Sequence, residues 1–381
     1  MKLVRLTYGS TIPAMPYFSS DLLWASGMKL ADPFFLLEFQ NGRRVVFVNG
    51  AEYPKVKKTS KENLSVRSLE TETGNDDLEC VVSFLKKRKI KKIIIPDSSP
   101  VLVAKRLTEA KMDVSSRDDV WFPERIIKEK REIEYVTQAQ KAAEKALGVA
   151  REVLKNSAVD KNGFLFLPVN CKRFPLTAES LRTAMGLVLE EYGHMTPEVL
   201  VGFGKDSSDI HAYSYGPITA HQPIVIDVFP YSRRNGYWGD MTRTFFKGKP
   251  SLEVQKMYVA VLGAMEIAMQ MIRAGVCGSA VYNEVVGFFE KTGYRERYNC
   301  KTGKEEGFIH ALGHGVGVDI HEWPILCETP ARLAEGMVLA VEPGLYYSKA
   351  GGVRIEDTVL VRKNGIRNLT SFPKDLDSAI L

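Results

Sequence analysis

No window of the 381 residues approaches 18 consecutive apolar positions, the length a helix needs to cross a bilayer. The opening residues, MKLVRLTYGSTIPAMPYF, lack the apolar core of a secretory signal, so the expected location is the cytoplasm, with no membrane partner. Cysteine is scarce: five residues, at 80, 171, 277, 300 and 327, odd in number and without a C-x-x-C pair. That excludes a disulfide scaffold, a thiol-exchange motif and a zinc ribbon. Also missing are a G-x-G-x-x-G fingerprint, a G-x-S-x-G elbow and an H-E-x-x-H helix, which removes the simplest nucleotide-binding, serine-hydrolase and zincin readings. No internal repeat or low-complexity segment is present. Neither sign of charge dominates, with 52 Lys+Arg against 46 Asp+Glu, and 45% of residues are hydrophobic. The composition is that of a folded globular chain long enough for two or three domains.

The small positive excess is local. Residues 1–125 carry 21 basic and 16 acidic side chains, against 31 and 30 in residues 126–381. Much of it lies in Lys86, Lys87, Arg88, Lys89, Lys91 and Lys92. These close an amphipathic stretch and precede KKIIIPD, so they read as cations at a helix C-terminus rather than as a nucleic-acid patch. No nucleic-acid partner is expected.

Short apolar runs alternate with helical patterns over residues 1–125. DPFFLLEFQNG and RRVVFVNG predict a hairpin, residues 78–89 a helix, KIIIPD a strand and SPVLVAKRLTEAK a second helix, which together make an α/β domain. Residues 55–77 are polar and read as an irregular surface connection. From Ile126 to Leu154 apolar residues recur at spacings of three and four, the period of a long amphipathic helix. The domain boundary is therefore placed at 125/126. Residues 157–175 read as irregular, and helices are expected after Thr177, over 252–275 and over 279–293.

The unusual chemistry lies in this second part. Asp227 sits in IVIDV, Asp240 in YWGDMTRTFF, Glu342 in VLAVEPGLY, and Arg354, Glu356 and Asp357 in GVRIEDTV. HALGHGVGVDIHE holds His310, His314, Asp319, His321 and Glu322. Singly, an aspartate in a strand is more often a hydrogen-bonded core or turn residue. Several acids inside apolar strands need a shared cation, because an uncompensated buried carboxylate costs several kcal/mol, roughly. Asp227 and Asp240 are 13 apart and Glu342 and Glu356 are 14 apart. Each interval fits two antiparallel strands joined by a turn, SRRNG or SKAGG. Four carboxylates and one imidazole suit two hard or borderline divalent ions, Mn²⁺ first, with Co²⁺, Zn²⁺ or Fe²⁺ as alternatives.

These motifs resemble those of the pita-bread metallopeptidase family, which includes aminopeptidase P, prolidase and methionine aminopeptidase. The family pattern is a strand-end Asp, Asp-x-Thr-Arg-Thr, His-x-x-x-His-Gly, Glu-Pro-Gly and Arg-x-Glu-Asp. Here Asp227, Asp240-Met241-Thr242-Arg243-Thr244, His310 with His314-Gly315, Glu342-Pro343-Gly344 and Arg354-Ile355-Glu356-Asp357 match it. The resemblance implies a C-terminal pita-bread catalytic domain over 126–381, preceded by a creatinase/prolidase-like α/β domain over 1–125. It implies Asp227, Asp240, His314, Glu342 and Glu356 as ligands of two metal ions. His211, His310, His321 and Arg354 are implied as substrate-binding residues, and Glu342, His321 and His310 as catalytic. Phe229 in DVFP and Ile210 before His211 depart from the residues common in the family.

The activity so implied is hydrolysis of the bond between an N-terminal residue and a following proline, as in an Xaa-Pro aminopeptidase. The substrate partner is thus a peptide with proline in second position, and relatives imply a homodimer. A prolidase restricted to Xaa-Pro dipeptides is the alternative. A non-enzymatic binding module on the same fold would be expected to have lost ligands, and all five are present.

Overall fold

In the strands Phe34–Phe39 and Arg44–Val48, successive side chains point to opposite faces. Phe35, Leu37, Val45 and Phe47 enter one core and Phe34, Leu36, Val46 and Val48 another. A sheet buried on both faces explains why these segments read as unbroken apolar runs. The computed structural model describes residues 3–59, 64–72, 74 and 76–381, in two compact units, Met1–Arg125 and Ile126–Leu381. In the first unit the sheet has six strands, in the order Leu64–Ser68, Arg44–Val48, Phe34–Phe39, Leu3–Gly9, Lys92–Pro96 and Asp113–Arg117. Helices Asp77–Lys87 and Val101–Glu109 supply one face, and helix Ser20–Ser26 the other. The basic run does close the Asp77–Lys87 helix, with Arg88 as its C-cap.

One expectation fails here. The polar stretch 55–77 is not an irregular connection: it contains the end of helix Tyr53–Thr59 and the strand Leu64–Ser68, while residues 60–63, 73 and 75 lie outside the described residues. The strand is paired on one side only, parallel to Arg44–Val48. An edge strand needs no continuous apolar face, so hydropathy did not mark it.

The second unit packs two helix-on-sheet layers. In the first, helices Lys130–Asn156 and Ala178–Glu191 cover the sheet Val199–Phe203, Ile224–Val228, Met241–Phe245. In the second, helices Leu252–Met271 and Gly278–Lys291 cover a five-stranded sheet, in the order Glu322–Leu326, Gly313–Gly315, Val338–Val341, Asp357–Arg362, Gly365–Asn368. A hairpin, Gly344–Tyr347 with Gly351–Arg354, extends from it. The long helix starts at Lys130 rather than near 126, because the Lys128 amide donates to the Gly336 carbonyl and Glu129 forms the N-terminal capping box with Glu132. Residues 157–175, expected to be irregular, form a small sheet of Ala158–Val159, Leu165–Val169 and Lys172–Pro175. Its tight turn places both Asn170 and Cys171 at positive φ, 49° and 63°, as a two-residue hairpin turn of the primed type requires.

Among the described residues no helix is long and apolar enough to cross a membrane. Gly313 marks where the strand before His314 must run close to its neighbour. A Cβ there would lie 2.0 Å from the Ala340 carbonyl oxygen, so only glycine fits.

Candidate active site

The register of the strands aims the acids. Asp227 pairs with Thr242 across the Ile224–Val228 and Met241–Phe245 strands. Asp240, two residues before Thr242, therefore shares its face with Asp227. In the second layer, Val341 pairs with Asp357 and Gly344 with Arg354. The two pairings are in step, which sets Glu342 opposite Glu356 where sheet passes into hairpin. His314 lies in the short strand beside Val338–Val341.

Asp240, His314 and Glu356 each offer a ligand atom within 4.8 Å of the others, and all three are buried. His314 Nε2 stands 3.5 Å from Asp240 Oδ2 and 3.5 Å from Glu342 Oε1. The imidazole is neutral: burial, with His321 nearby, lowers its pKa to about 4. Its Nδ1 lies 3.1 Å from the Gly315 carbonyl, an acceptor that obliges Nδ1 to carry the proton. Nε2 is then an acceptor facing the carboxyl groups of Asp240 and Glu342, both of which burial pushes toward protonation. Asp227 Oδ2 accepts from Arg354 Nη2 at 2.8 Å, while its buried Oδ1 has no hydrogen-bond donor among the described residues.

Electrostatics point the same way. Burial raises the pKa of Asp240, with Glu356, Asp227 and Glu342 adding to it. Burial also raises Glu356, with Glu342 and Asp227 adding. Glu342 is pushed up to about 8 by burial, against the pull of Arg354. Arg354 is the cation that opposes these shifts. A cluster of mutually repelling carboxylates, one neutral imidazole lone pair and an orphaned buried oxygen is a donor set that fits divalent cations.

A family comparison decides the class: residues 133–363 match the model of metallopeptidase family M24. The chain belongs to that family. An Xaa-Pro dipeptidase of Pyrococcus furiosus is 31% identical over 263 residues, covering 68% of this chain and 67% of the relative. An uncharacterised peptidase of Staphylococcus haemolyticus is 29% identical over 348 residues, covering 90% and 88%. Among solved structures, the prolidase from Pyrococcus furiosus superposes with a TM-score of 0.78 at 25% identity, covering 97% of this chain and 96% of that one. The X-Pro aminopeptidase from Thermotoga maritima gives 0.79 at 24% identity, over 98% and 97%, a likeness of fold. The fold is thus the pita-bread domain with a preceding α/β domain, and the family implies divalent metal ions.

Within this M24 site the Asp-x-Thr-Arg-Thr motif stitches the two layers together. The Thr242 hydroxyl donates to Glu356 Oε2 at 2.8 Å. Arg243, fully buried, donates to the Glu356 carbonyl at 2.6 Å and to Asp357 at 2.7 Å. The Thr244 hydroxyl both accepts from the Arg354 amide and donates to its carbonyl, each at 3.0 Å.

Two of the expected substrate-binding residues are differently engaged. Arg354 is buried and spends its donors on Asp227, on Tyr346 Oη at 2.9 Å, on the Ile210 carbonyl at 3.1 Å and on Thr242 Oγ1 at 3.1 Å. It holds Asp227. His310 has Nδ1 2.7 Å from the Ala311 carbonyl and Nε2 3.0 Å from Tyr346 Oη. Burial, with Arg354 nearby, brings its pKa down to about 3, so the ring is neutral. Nδ1 carries the proton and Nε2 accepts from the tyrosine, leaving no N–H for a substrate. His321 is different: it is exposed, packs edge-on to His314 with centroids 4.4 Å apart, and neither ring nitrogen is hydrogen-bonded to a described residue. His211 is likewise exposed, and near enough to His310 and His321 to depress their pKa values.

Sequence reasoning did not find Gln140 or Tyr346. The Gln140 amide grips the Asp240 backbone, accepting from its N–H at 2.9 Å and donating to its carbonyl at 3.0 Å. Its signal was a glutamine on the apolar face of a long helix. Tyr346, in GLYY, had none.

Proposed function

We propose that the chain is a dinuclear-metal Xaa-Pro aminopeptidase, which cuts between an N-terminal residue and a following proline. The convergence of four carboxylates with the His314 lone pair carries this reading. Asp227, Asp240, His314, Glu342 and Glu356 would hold two ions, with Mn²⁺ the best match to an oxygen-rich set. Such ions supply a water nucleophile near neutral pH and polarisation of the scissile carbonyl. The protein's own groups do the rest. Glu342 is positioned to pass a proton toward the leaving nitrogen, a general acid/base contribution of about 10²–10⁴-fold. His321, with an uncommitted ring at the mouth of the site, donates to the substrate carbonyl as negative charge develops on its oxygen. His211 contacts the proline side. The His310–Tyr346–Arg354 chain keeps Asp227 in place.

The second reading, a dipeptidase confined to Xaa-Pro, is favoured by the name of the Pyrococcus furiosus relative. Product analysis of Ala-Pro, Ala-Pro-Ala and Met-Ala-Ser, with chelator-stripped protein before and after Mn²⁺ addition, separates the readings. Metal-dependent release of alanine from the tripeptide supports the aminopeptidase, and cleavage of Ala-Pro alone supports the dipeptidase. Silence on all three with metal bound rejects both. His321→Ala should cut kcat by about 10²–10³-fold, the range for losing one oxyanion donor, with metal stoichiometry unchanged. Loss of metal in that variant would reassign His321 to the metal site.

A further inference from the structure

A cavity of about 390 Å³ lies beside His211, within the roughly 300–1,000 Å³ typical of small-ligand sites. Asp209 and Ala212, on either side of the Ile210–His211 pair, both line it. Ile210 is itself tied to the site, since its carbonyl accepts from the Arg354 guanidinium that holds Asp227. Thr302 and Ser348 also line it. Ser348 lies two residues beyond Tyr346, in the turn of the hairpin whose two ends carry Glu342 and Glu356. The cavity is thus lined by the chain neighbours of Ile210 and His211 on one side and by the turn of the Glu342–Glu356 hairpin on the other.

The polar groups in it are unequally committed. Asp206 Oδ2 accepts from the Ser214 hydroxyl at 3.1 Å, and Asp209 Oδ1 accepts from the His211 amide at 3.0 Å. Among the described residues the Lys205 ammonium has no ion pair or hydrogen bond and the Ser208 hydroxyl has no partner, although both line the cavity. Lys205 and Ser208 therefore offer donors, while Asp206 and Asp209 each accept a neutral hydrogen bond and keep their negative charge, so Lys205 is the group that must hold an anion here. An α-carboxylate is the ligand chemistry that matches. Two residues beyond proline extend about 7 Å at roughly 3.3–3.6 Å each, the scale on which a short peptide's C-terminus reaches past His211.

We infer that this cavity seats the residues that follow proline, and that Lys205 holds the C-terminal carboxylate of a tri- or tetrapeptide. The inference rests on the Xaa-Pro peptidase reading above and names its substrate class: short peptides with a free C-terminus. Lys205 sets the sign of the preference, because without it the carboxylates of Asp206 and Asp209 face the substrate carboxylate alone.

The test compares kcat/KM for Ala-Pro-Ala and Ala-Pro-Ala-Ala with that for their C-terminal amides, using full-length Mn²⁺-loaded protein at low salt. The acids should be preferred by about three- to fivefold, the scale of an exposed ion pair, with the difference in KM. Lys205→Met should invert the ratio and Asp206→Asn should increase it. Equal rates on acids and amides, or a preference that survives Lys205→Met, overturn the inference. Cleavage of Ala-Pro with both longer peptides left intact overturns it while sparing the Xaa-Pro reading. Silence on every proline peptide removes that reading and this inference with it.

Discussion

Asp240→Asn should abolish turnover while making the metal-free protein more stable. The Asp240 backbone is held independently of its carboxylate: Gln140 bonds both its N–H and its carbonyl, and the Thr358 hydroxyl donates to the same carbonyl. The side chain, only 5% exposed as a residue, faces other carboxylates and the His314 lone pair. Asparagine removes the charge and leaves the frame. Activity in saturating Mn²⁺ should fall by at least about 10³-fold, because activation of water and carbonyl is lost with the ions. The metal-free protein should gain roughly 1–3 kcal/mol from relieved repulsion among the carboxylates, the scale of one to two pKa units, or about 2–12 °C in Tm.

The pH dependence follows from the same groups. Asp240, Glu342 and Glu356 all have folded pKa values above the ordinary carboxylate range, Glu342 at about 8. Unfolded carboxylates titrate near 4, roughly. Between those limits the folded metal-free state binds more protons than the unfolded chain, so its stability falls as pH rises through the window. The rise in Tm on adding Mn²⁺ should therefore be larger at pH 8 than at pH 5, and smaller in Asp240→Asn. Wild-type metal content and activity in the variant would remove Asp240 from the ligand set.

The acids of this site were legible because they break a local rule. A carboxylate in IVIDV or VLAVEPG contradicts the burial its neighbours demand, and strands fix side-chain direction every second residue. Spacing alone could therefore pair Asp227 with Asp240 and Glu342 with Glu356. What stayed hidden depends on contacts between segments far apart in sequence. Gln140 meets Asp240 across 100 residues and Lys128 meets Glu322 across 194. Neither has a periodicity to reveal it. The engagement of His310 was hidden for a related reason: the motif supplies an imidazole, but its proton is fixed by the Ala311 carbonyl and Tyr346. In the fold, the edge strand Leu64–Ser68 and the small sheet over 158–175 were missed, because weakly buried strands carry little hydropathic signal.

Lys128→Met should destabilise the fold strongly although it lies outside the proposed ligand set. Lys128 Nζ donates to Glu322 Oε2 at 2.8 Å, with the two side chains only 2% and 6% exposed. The other Glu322 oxygen accepts from the Asp319 amide at 3.1 Å, and the carboxylate packs against Gly317 so closely that a Cβ there would lie 2.6 Å away. Trp238 adds two bonds, its amide to the Gly317 carbonyl at 2.8 Å and its indole to the Val318 carbonyl at 3.1 Å. Together these fix the loop between His314 and His321. Removing one partner of a buried pair costs about 3–5 kcal/mol, since the other charge stays desolvated, which corresponds to a fall in Tm of about 6–20 °C. The double variant Lys128→Met/Glu322→Gln buries no charge at this point and should recover most of that loss. It lacks the ion pair that sets His321, so its kcat should remain about tenfold low, as small misplacements of a reacting group demand, with metal content intact. A stable single variant would show that the pair contributes little to folding. Full kcat in the double variant would show that His321 is placed by Trp238 and the strand alone.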